Sequence, residues 1–140
     1  MEGAALVVIK QGTHIVSVFD NIAGMTFSGT LTYILKFLTP TSGLVLWDNI
    51  GADGQSGDSL APNPQVAGEK TFINGVQIAG PGAPNGDSDW NGSAALPLPQ
   101  LFDVTGHNLT SVAPPGTTAL GVRIVAQGDC ITTIANIVAQ

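Results

Sequence analysis

The sequence predicts an all-β protein, a single antiparallel β-sandwich of jelly-roll-like form with about eight strands. Charged residues make up only 10% of the 140 residues, and 18 glycines and 9 prolines provide many turns. Between these turns lie short segments rich in Val, Ile and Thr, which fit a pleated surface. A chain of this length can bury a core of its own. We therefore expect residues 1–140 to form one sandwich domain.

The first half of the chain contains four strand-like segments separated by turn residues. Residues 4–10 are apolar on both faces, and residues 14–20 follow a Gln-Gly-Thr turn, so the two segments are predicted to pair as a hairpin. A longer strand is predicted next, because apolar residues alternate there and the flanks contain Gly and Thr, which argue against a helix. The longer strand and its successor are expected at residues 27–38 and 44–49.

Two long polar stretches, residues 51–68 and 80–93, interrupt the second half and are predicted to be surface loops. Between them, residues 70–79 are expected to be extended, with Asn74-Gly75 as a type I′ turn or a bulge. A short edge strand follows at residues 98–104, since Pro97 and Pro99 exclude a central position. Residues 106–116 are predicted to be a connection with a short helical turn.

The last segment, residues 117–138, is predicted to be a central hairpin. Leu120, Val122 and Ile124 alternate with smaller or polar residues, which is typical of a half-buried strand. The turn is assigned to Gln127-Gly128-Asp129, after which an Ile- and Thr-rich segment runs back. Because so long an apolar hairpin is not stable alone in water, we expect it at the centre of a larger sheet.

Several of these segments, in this order, resemble a known class of module. They are EGAALVVI, FSGTLTY, DGQSG, INGVQI, the DSDW loop, LFDVTGHNL and VAPPGTTALGVRIVAQGDCITTIANIV. Together they are similar to β-sandwich modules of bacterial and archaeal secreted, surface-exposed, adhesin-like proteins. The resemblance implies an extracellular location and a non-enzymatic role, because its motifs are structural ones. Attachment to a cell surface stays open.

The composition argues against several partners and activities. The net charge is −6, and the four basic residues cannot form a nucleic-acid-binding face. No segment reaches the roughly 20 apolar residues of a membrane-spanning helix, and no basic signal-peptide region follows Met1, whose origin as a native residue stays open. The single cysteine, Cys130, is expected to be a small buried residue. No nucleophile elbow accompanies the histidines, and His107 is expected to be exposed, so no enzyme is predicted.

Calcium is the one cofactor that the sequence suggests. Carboxylates in and beside the two long loops supply hard oxygen ligands on flexible backbone. The candidate ligands are Asp48, Asp53, Asp58, Asp87 and Asp89. The spacing does not match an EF-hand, and solvated turn residues are the alternative interpretation.

A glycan site is the alternative functional hypothesis. Trp90 lies in a loop with Asn85, Asp87 and Asp89, which would give an aromatic platform beside amide and carboxylate groups. In the competing interpretation Trp90 folds back and caps the edge of the sandwich. Trp47 follows an apolar run and is expected in the core.

The leading hypothesis is a structural or adhesive surface module that acts through self-association or through neighbouring surface domains. If the strand at residues 4–9 lies at a sheet edge, its backbone groups are available to another subunit. A further hypothesis comes from surface β-sandwiches with an intramolecular isopeptide bond. It would join Lys10 to Asn136, with Asp103 or Glu69 as the promoting acid.

Overall fold

The computed structural model describes residues 5–27, 29–52, 69–84, 89–90, 102–126 and 130–140. Over these residues the chain forms eight strands. Their bounds are β1 Val16–Phe27, β2 Thr30–Lys36, β3 Leu46–Ala52, β4 Lys70–Ile73, β5 Val76–Ala79, β6 Phe102–Asn108, β7 Ala119–Val125 and β8 Cys130–Ala139. No helix long and apolar enough to cross a membrane occurs in the part of the chain that the structure describes.

The strands form two antiparallel four-stranded sheets. Sheet A has the order β1-β8-β3-β6 and sheet B the order β2-β7-β4-β5. The pairs β1·β8, β2·β7, β3·β6 and β4·β5 are those of one long antiparallel hairpin folded at the β4–β5 turn. Winding that hairpin into two sheets gives the jelly-roll arrangement. The all-β sandwich that the sequence predicts is therefore confirmed.

The two sheets pack face to face because alternate side chains of each strand point to the same side. On β7 the inward residues Leu120, Val122 and Ile124 are all 0% exposed. They join Ile131 and Val138 of β8 in one apolar cluster between the sheets. Alternation therefore identifies the buried face of β7 correctly.

The predicted closing hairpin is wrong in its pairing. β7 lies between β2 and β4 in sheet B, whereas β8 lies between β1 and β3 in sheet A. Each strand is central, as expected, but the link between them crosses from one sheet to the other. The crossing lets the apolar faces of β7 and β8 cover each other, which neighbours within one sheet cannot do. A pattern of alternation specifies a face and does not specify a partner.

The predicted first strand is also absent. Residues 5–15 lie outside the strands, and every one of their side chains is exposed. The partner predicted for that strand lies in β1, which pairs with β8 instead. Residues 5–10 have the composition of a strand, but no described strand pairs with them.

Two shorter predictions are confirmed. Asn74 and Gly75 connect β4 to β5 with φ values of 50° and 85°, as a type I′ turn requires. In the connection after β6, the Ala113 N–H donates to the Leu109 carbonyl at 2.8 Å, which closes one turn of α-helical spacing. The first predicted polar loop lies outside the described residues except for residues 51–52, which belong to β3, and half of the second lies outside them.

Candidate functional site

The inner face of sheet A carries an unusual number of polar side chains for the interior of a sandwich. Asn49 of β3 lies between Asn136 of β8 and Thr105 of β6 in one cross-strand row. Asn49 and Asn136 are 1% and 0% exposed. The opposite wall, from sheet B, consists mainly of aliphatic residues. Buried polar groups require hydrogen-bond partners, so this half of the interior is the first place to look for a site.

Asn136 is the centre of the polar region. Its Oδ1 accepts a hydrogen bond from Trp47 Nε1 at 2.7 Å and another from the Tyr33 hydroxyl at 3.2 Å. Trp47 belongs to sheet A and Tyr33 to sheet B, so one amide oxygen joins the two layers. Burial raises the pKa of Tyr33 to about 12 and keeps its phenol protonated.

A histidine–carboxylate pair lies beside this amide. His107 Nε2 is 2.7 Å from Asp89 Oδ1, and the two side chains are 16% and 4% exposed. The imidazole also stacks on Trp47, with ring centroids 5.7 Å apart and planes inclined by 24°. The pair therefore fixes the loop residue Asp89 against β6, and its imidazole packs on the Trp47 ring, whose N–H bonds Asn136.

Asp48 lies on the other, outward side of sheet A. It follows Trp47 in β3 and points outward, and its side chain is exposed. Partial desolvation raises the pKa of its carboxyl group, while the nearby His107 acts in the opposite direction. Its cross-strand partner is Gly106, where a Cβ atom would lie 2.6 Å from Asp48 Oδ1. The glycine thus makes room for the carboxylate.

The predicted calcium ligands are only partly described. Asp48 lies on the outer face of sheet A, whereas Asp89 points into the interior and bonds His107. Asp53, Asp58 and Asp87 lie outside the described residues. Within the described ranges, no group of three or more His, Cys, Asp or Glu side chains is arranged to hold a metal ion. Calcium binding stays a prediction about the loops.

The aromatic residue of the predicted glycan site is buried. Trp90 is 0% exposed and belongs to the apolar core, and its ring packs on Gly51 of β3. A sugar cannot stack on this ring in the conformation observed. Trp90 follows the alternative in which the indole folds back onto the sandwich. Asp89 is 3% exposed, and Asn85 and Asp87 lie outside the described residues.

The proposed isopeptide partners are in different environments. Lys10 is exposed and lies outside the strands, whereas Asn136 is 0% exposed and bonded to Trp47. An isopeptide bond requires the lysine amine to reach the buried amide carbon. The observed arrangement does not bring these groups together, so it gives the crosslink no support.

Sequence reasoning missed the two residues that complete the polar region, Tyr33 and His107. His107 was expected to be exposed, and the structure corrects this: its ring is largely covered by Trp47 and Asp89. The signal was available, because Asp103, Thr105 and His107 share the period of two of one strand face. Ending the predicted strand at residue 104 removed His107 from that pattern.

Residues 5–10, named the arm from here on, form the second feature that requires an explanation. Leu6, Val7, Val8 and Ile9 are 89%, 42%, 64% and 55% exposed. No described backbone hydrogen bond joins the arm to another described residue. Single exposed aliphatic residues are ordinary, but a run of four is typical of an interaction segment.

Comparison with known proteins leaves the fold, the polar interior of sheet A and the exposed arm as the basis for a functional assignment. No protein-family model, no curated protein and no solved structure matches the chain.

Proposed function

We propose that the chain is a non-enzymatic structural module that acts by self-association, of the kind found in extracellular surface proteins. The observation that carries this proposal is the exposed run from Leu6 to Ile9 in a segment with strand composition. Exposure of these apolar side chains to water is unfavourable. Full burial of one Val or Leu side chain contributes roughly 1.5–3 kcal/mol, so a second subunit that covers the arm gains from it.

The sandwich also offers edges to a neighbouring subunit. β1 and β6 border sheet A, and β2 and β5 border sheet B. A sheet edge presents unpaired N–H and C=O groups, and an extended segment from another chain can pair with them. An exposed apolar arm and edge strands, as the described part of the chain has them, are complementary features, and together they favour assembly over an isolated monomer.

The polar interior supports a structural role rather than catalysis. The Asn136 amide oxygen is engaged by Trp47 and Tyr33, and the Asp89 carboxylate is engaged by His107. The Tyr33–Asn136 bond joins the two sheets, and the His107–Asp89 contact fixes the loop residue Asp89 against β6. A catalytic group needs access to a substrate, whereas Asn136 and Asp89 are 0% and 3% exposed.

Light scattering after size-exclusion chromatography, over a concentration series, tests the proposal. We expect the wild-type mass to rise with concentration, or to equal that of a discrete oligomer. Leu6→Ser combined with Val8→Ser should shift the protein toward monomer, because the apolar area of the arm is lost. The matched control is Leu38→Ser, since Leu38 is 97% exposed and lies outside the arm.

Three outcomes are informative. Loss of assembly in the arm variant alone supports the proposal. Equal loss in the Leu38→Ser control would assign the effect to general surface hydrophobicity and would contradict a specific role of the arm. A wild-type protein that stays monomeric at every concentration, with and without calcium, would refute self-association.

A further inference from the structure

The outer faces of the two sheets differ in character. On sheet B the outward positions mix polar and apolar residues: Thr30, Thr32, Ile34 and Lys36 are exposed on β2, and Arg123 of β7 covers the Phe72 ring at 3.6 Å. On sheet A the outward positions are mostly aliphatic. The register places these residues on that face: Val16, Val18, Asp20, Ala135, Ile137, Ala139, Leu46, Asp48, Ile50, Val104, Gly106 and Asn108.

Much of this aliphatic face is accessible. Val18, Val104 and Leu46 are 51%, 47% and 40% exposed, and they lie on three different strands of sheet A. In an antiparallel sandwich the outward positions are ordinarily polar. A face of this composition is typical of an interaction surface.

A carboxylate lies in the middle of this face. Asp48 has Ile137 and Gly106 as its cross-strand neighbours, and Leu46 and Ile50 precede and follow it on the same side of β3. The only other acidic residue on the face, among the described positions, is Asp20 at the β1 edge. A ligand that fits this face is therefore apolar with one cation in register with its aliphatic groups.

The arm has the composition of such a ligand, because it is apolar and carries one cation. In an extended segment, side chains two residues apart point to the same side, so Leu6, Val8 and Lys10 share one side. Leu6 and Val8 are also the most exposed of the arm's aliphatic residues, at 89% and 64%. Lys10 is exposed as well. The same spacing of two separates Leu46 from Asp48 on β3, so a lysine over Asp48 can leave Val8 over the exposed Leu46 side chain. Ile50, on the other side of Asp48, is only 6% exposed.

We infer that the arm of one copy lies on the outer face of sheet A of a second copy, with Lys10 paired to Asp48. The inference rests on the proposed function and names its acceptor surface. Two such chains can exchange arms about a two-fold axis, so that each contact is made twice. Reciprocal contacts matter, because a stable interface buries about 1,200 Å² or more in total and a single arm contributes only part of that.

Direct packing of sheet A on sheet A is the competing arrangement, and the charges argue against it. About a two-fold axis through this face, the two Asp48 carboxylates would approach each other. Like charges brought together at an interface are unfavourable. The arm supplies a lysine at this position instead.

Charge reversal tests the pairing. Lys10→Glu and Asp48→Lys should each weaken association about fivefold or more, because each places like charges together. The double variant restores an opposite pair and should return the dissociation constant to within about threefold of wild type. Lys36→Glu is the matched control, since it changes the net charge as Lys10→Glu does but lies on sheet B. Sedimentation velocity gives the constants, and thermal melts check that each variant folds.

The possible results separate this inference from the proposed function. Rescue in the double variant supports the pairing of Lys10 with Asp48. If the Leu6/Val8 variant is monomeric but the double variant is not rescued, self-association stands and the acceptor surface is elsewhere. A monomeric wild-type protein whose arm is protected from proteolysis in an Asp48-dependent way would place the arm on its own sheet and would overturn the inference.

Discussion

Tyr33 shows how one buried residue connects the two sheets. Its hydroxyl donates to Asn136 across the interior, and burial raises its pKa from 10.0 to about 12. The folded protein therefore keeps a proton that the unfolded chain releases above pH 10.0. This group contributes stability that is fully present below the unfolded value and is lost as the pH rises toward about 12.

The tyrosine prediction can be measured directly, because the chain contains one tyrosine. The phenolate absorbance should appear near pH 12 in the folded protein and near pH 10.0 in denaturant. Tyr33→Phe should lower the free energy of unfolding at neutral pH by about 1 kcal/mol, since it removes the hydrogen bond to Asn136. The free energy of unfolding of Tyr33→Phe should also decline less than that of the wild type between pH 10.0 and about pH 12. An absorbance midpoint near pH 10.0 in the native protein would show that the phenol is accessible.

Gly51 provides a second prediction at the scale of a residue. A Cβ atom at this position would lie 2.1 Å from Cζ3 of Trp90, so the indole occupies the place of the missing side chain. Gly51→Ala should displace Trp90 and destabilise the protein by about 1–3 kcal/mol, as overpacking of a core does.

Tryptophan fluorescence in a Trp47→Phe background checks this displacement, because the remaining emission then comes from Trp90. The expected result is a red shift and a higher quenching rate by iodide. Gly43→Ala is the matched control, since a Cβ atom there would meet nothing within 4 Å. Equal stability of the two alanine variants would contradict the packing of Trp90 on Gly51.

At the scale of elements, Asn74 connects three parts of the fold. The backbone of Asn74 has a φ of 50° in the β4–β5 turn. Its side-chain amide donates to the Val112 carbonyl at 2.9 Å and accepts from the Gly121 N–H at 2.9 Å. The turn is therefore joined to β7 and to the helical turn that follows β6.

Two substitutions at Asn74 separate backbone conformation from hydrogen bonding. Asn74→Gly keeps the positive φ at no steric cost and loses both side-chain bonds, so we expect a loss of about 1 kcal/mol in unfolding free energy. Asn74→Ala also carries the left-handed strain, which adds about 1 kcal/mol. Urea denaturation of the two variants measures both quantities. Identical losses of unfolding free energy in the two variants would mean that the left-handed conformation at position 74 adds no strain to the alanine variant.

The strand pairing illustrates the limit of pattern reasoning at this scale. The turn at Asn74-Gly75 could be predicted, because its two residues are adjacent and have a specific conformational preference. The pairing of β7 and β8 could not, because both strands have apolar faces and a short link. Whether such strands share a sheet or face each other depends on what covers them.

At the scale of the whole molecule, the described interior is divided. Sheet B contributes mainly aliphatic residues to the interior. Sheet A contributes the polar residues Asn49, Asn136, which bonds Trp47, and His107, which bonds Asp89. The outer surfaces differ in the opposite sense, because the outward positions of sheet A are mostly aliphatic and those of sheet B mix polar residues with apolar ones such as Ile34. An apolar outer face and an exposed apolar arm in the same chain are the basis for proposing assembly.

The sequence by itself determined the fold class, the inward face of β7 and the core position of Trp47. Each of these follows from local properties, namely side-chain alternation, turn chemistry and composition. Only the tertiary structure decided which strands pair, that Trp90 is buried against Gly51, and that His107 meets Asp89. The physical reason is that these contacts join residues far apart in the chain, and their free energy depends on which surfaces the folded chain brings together.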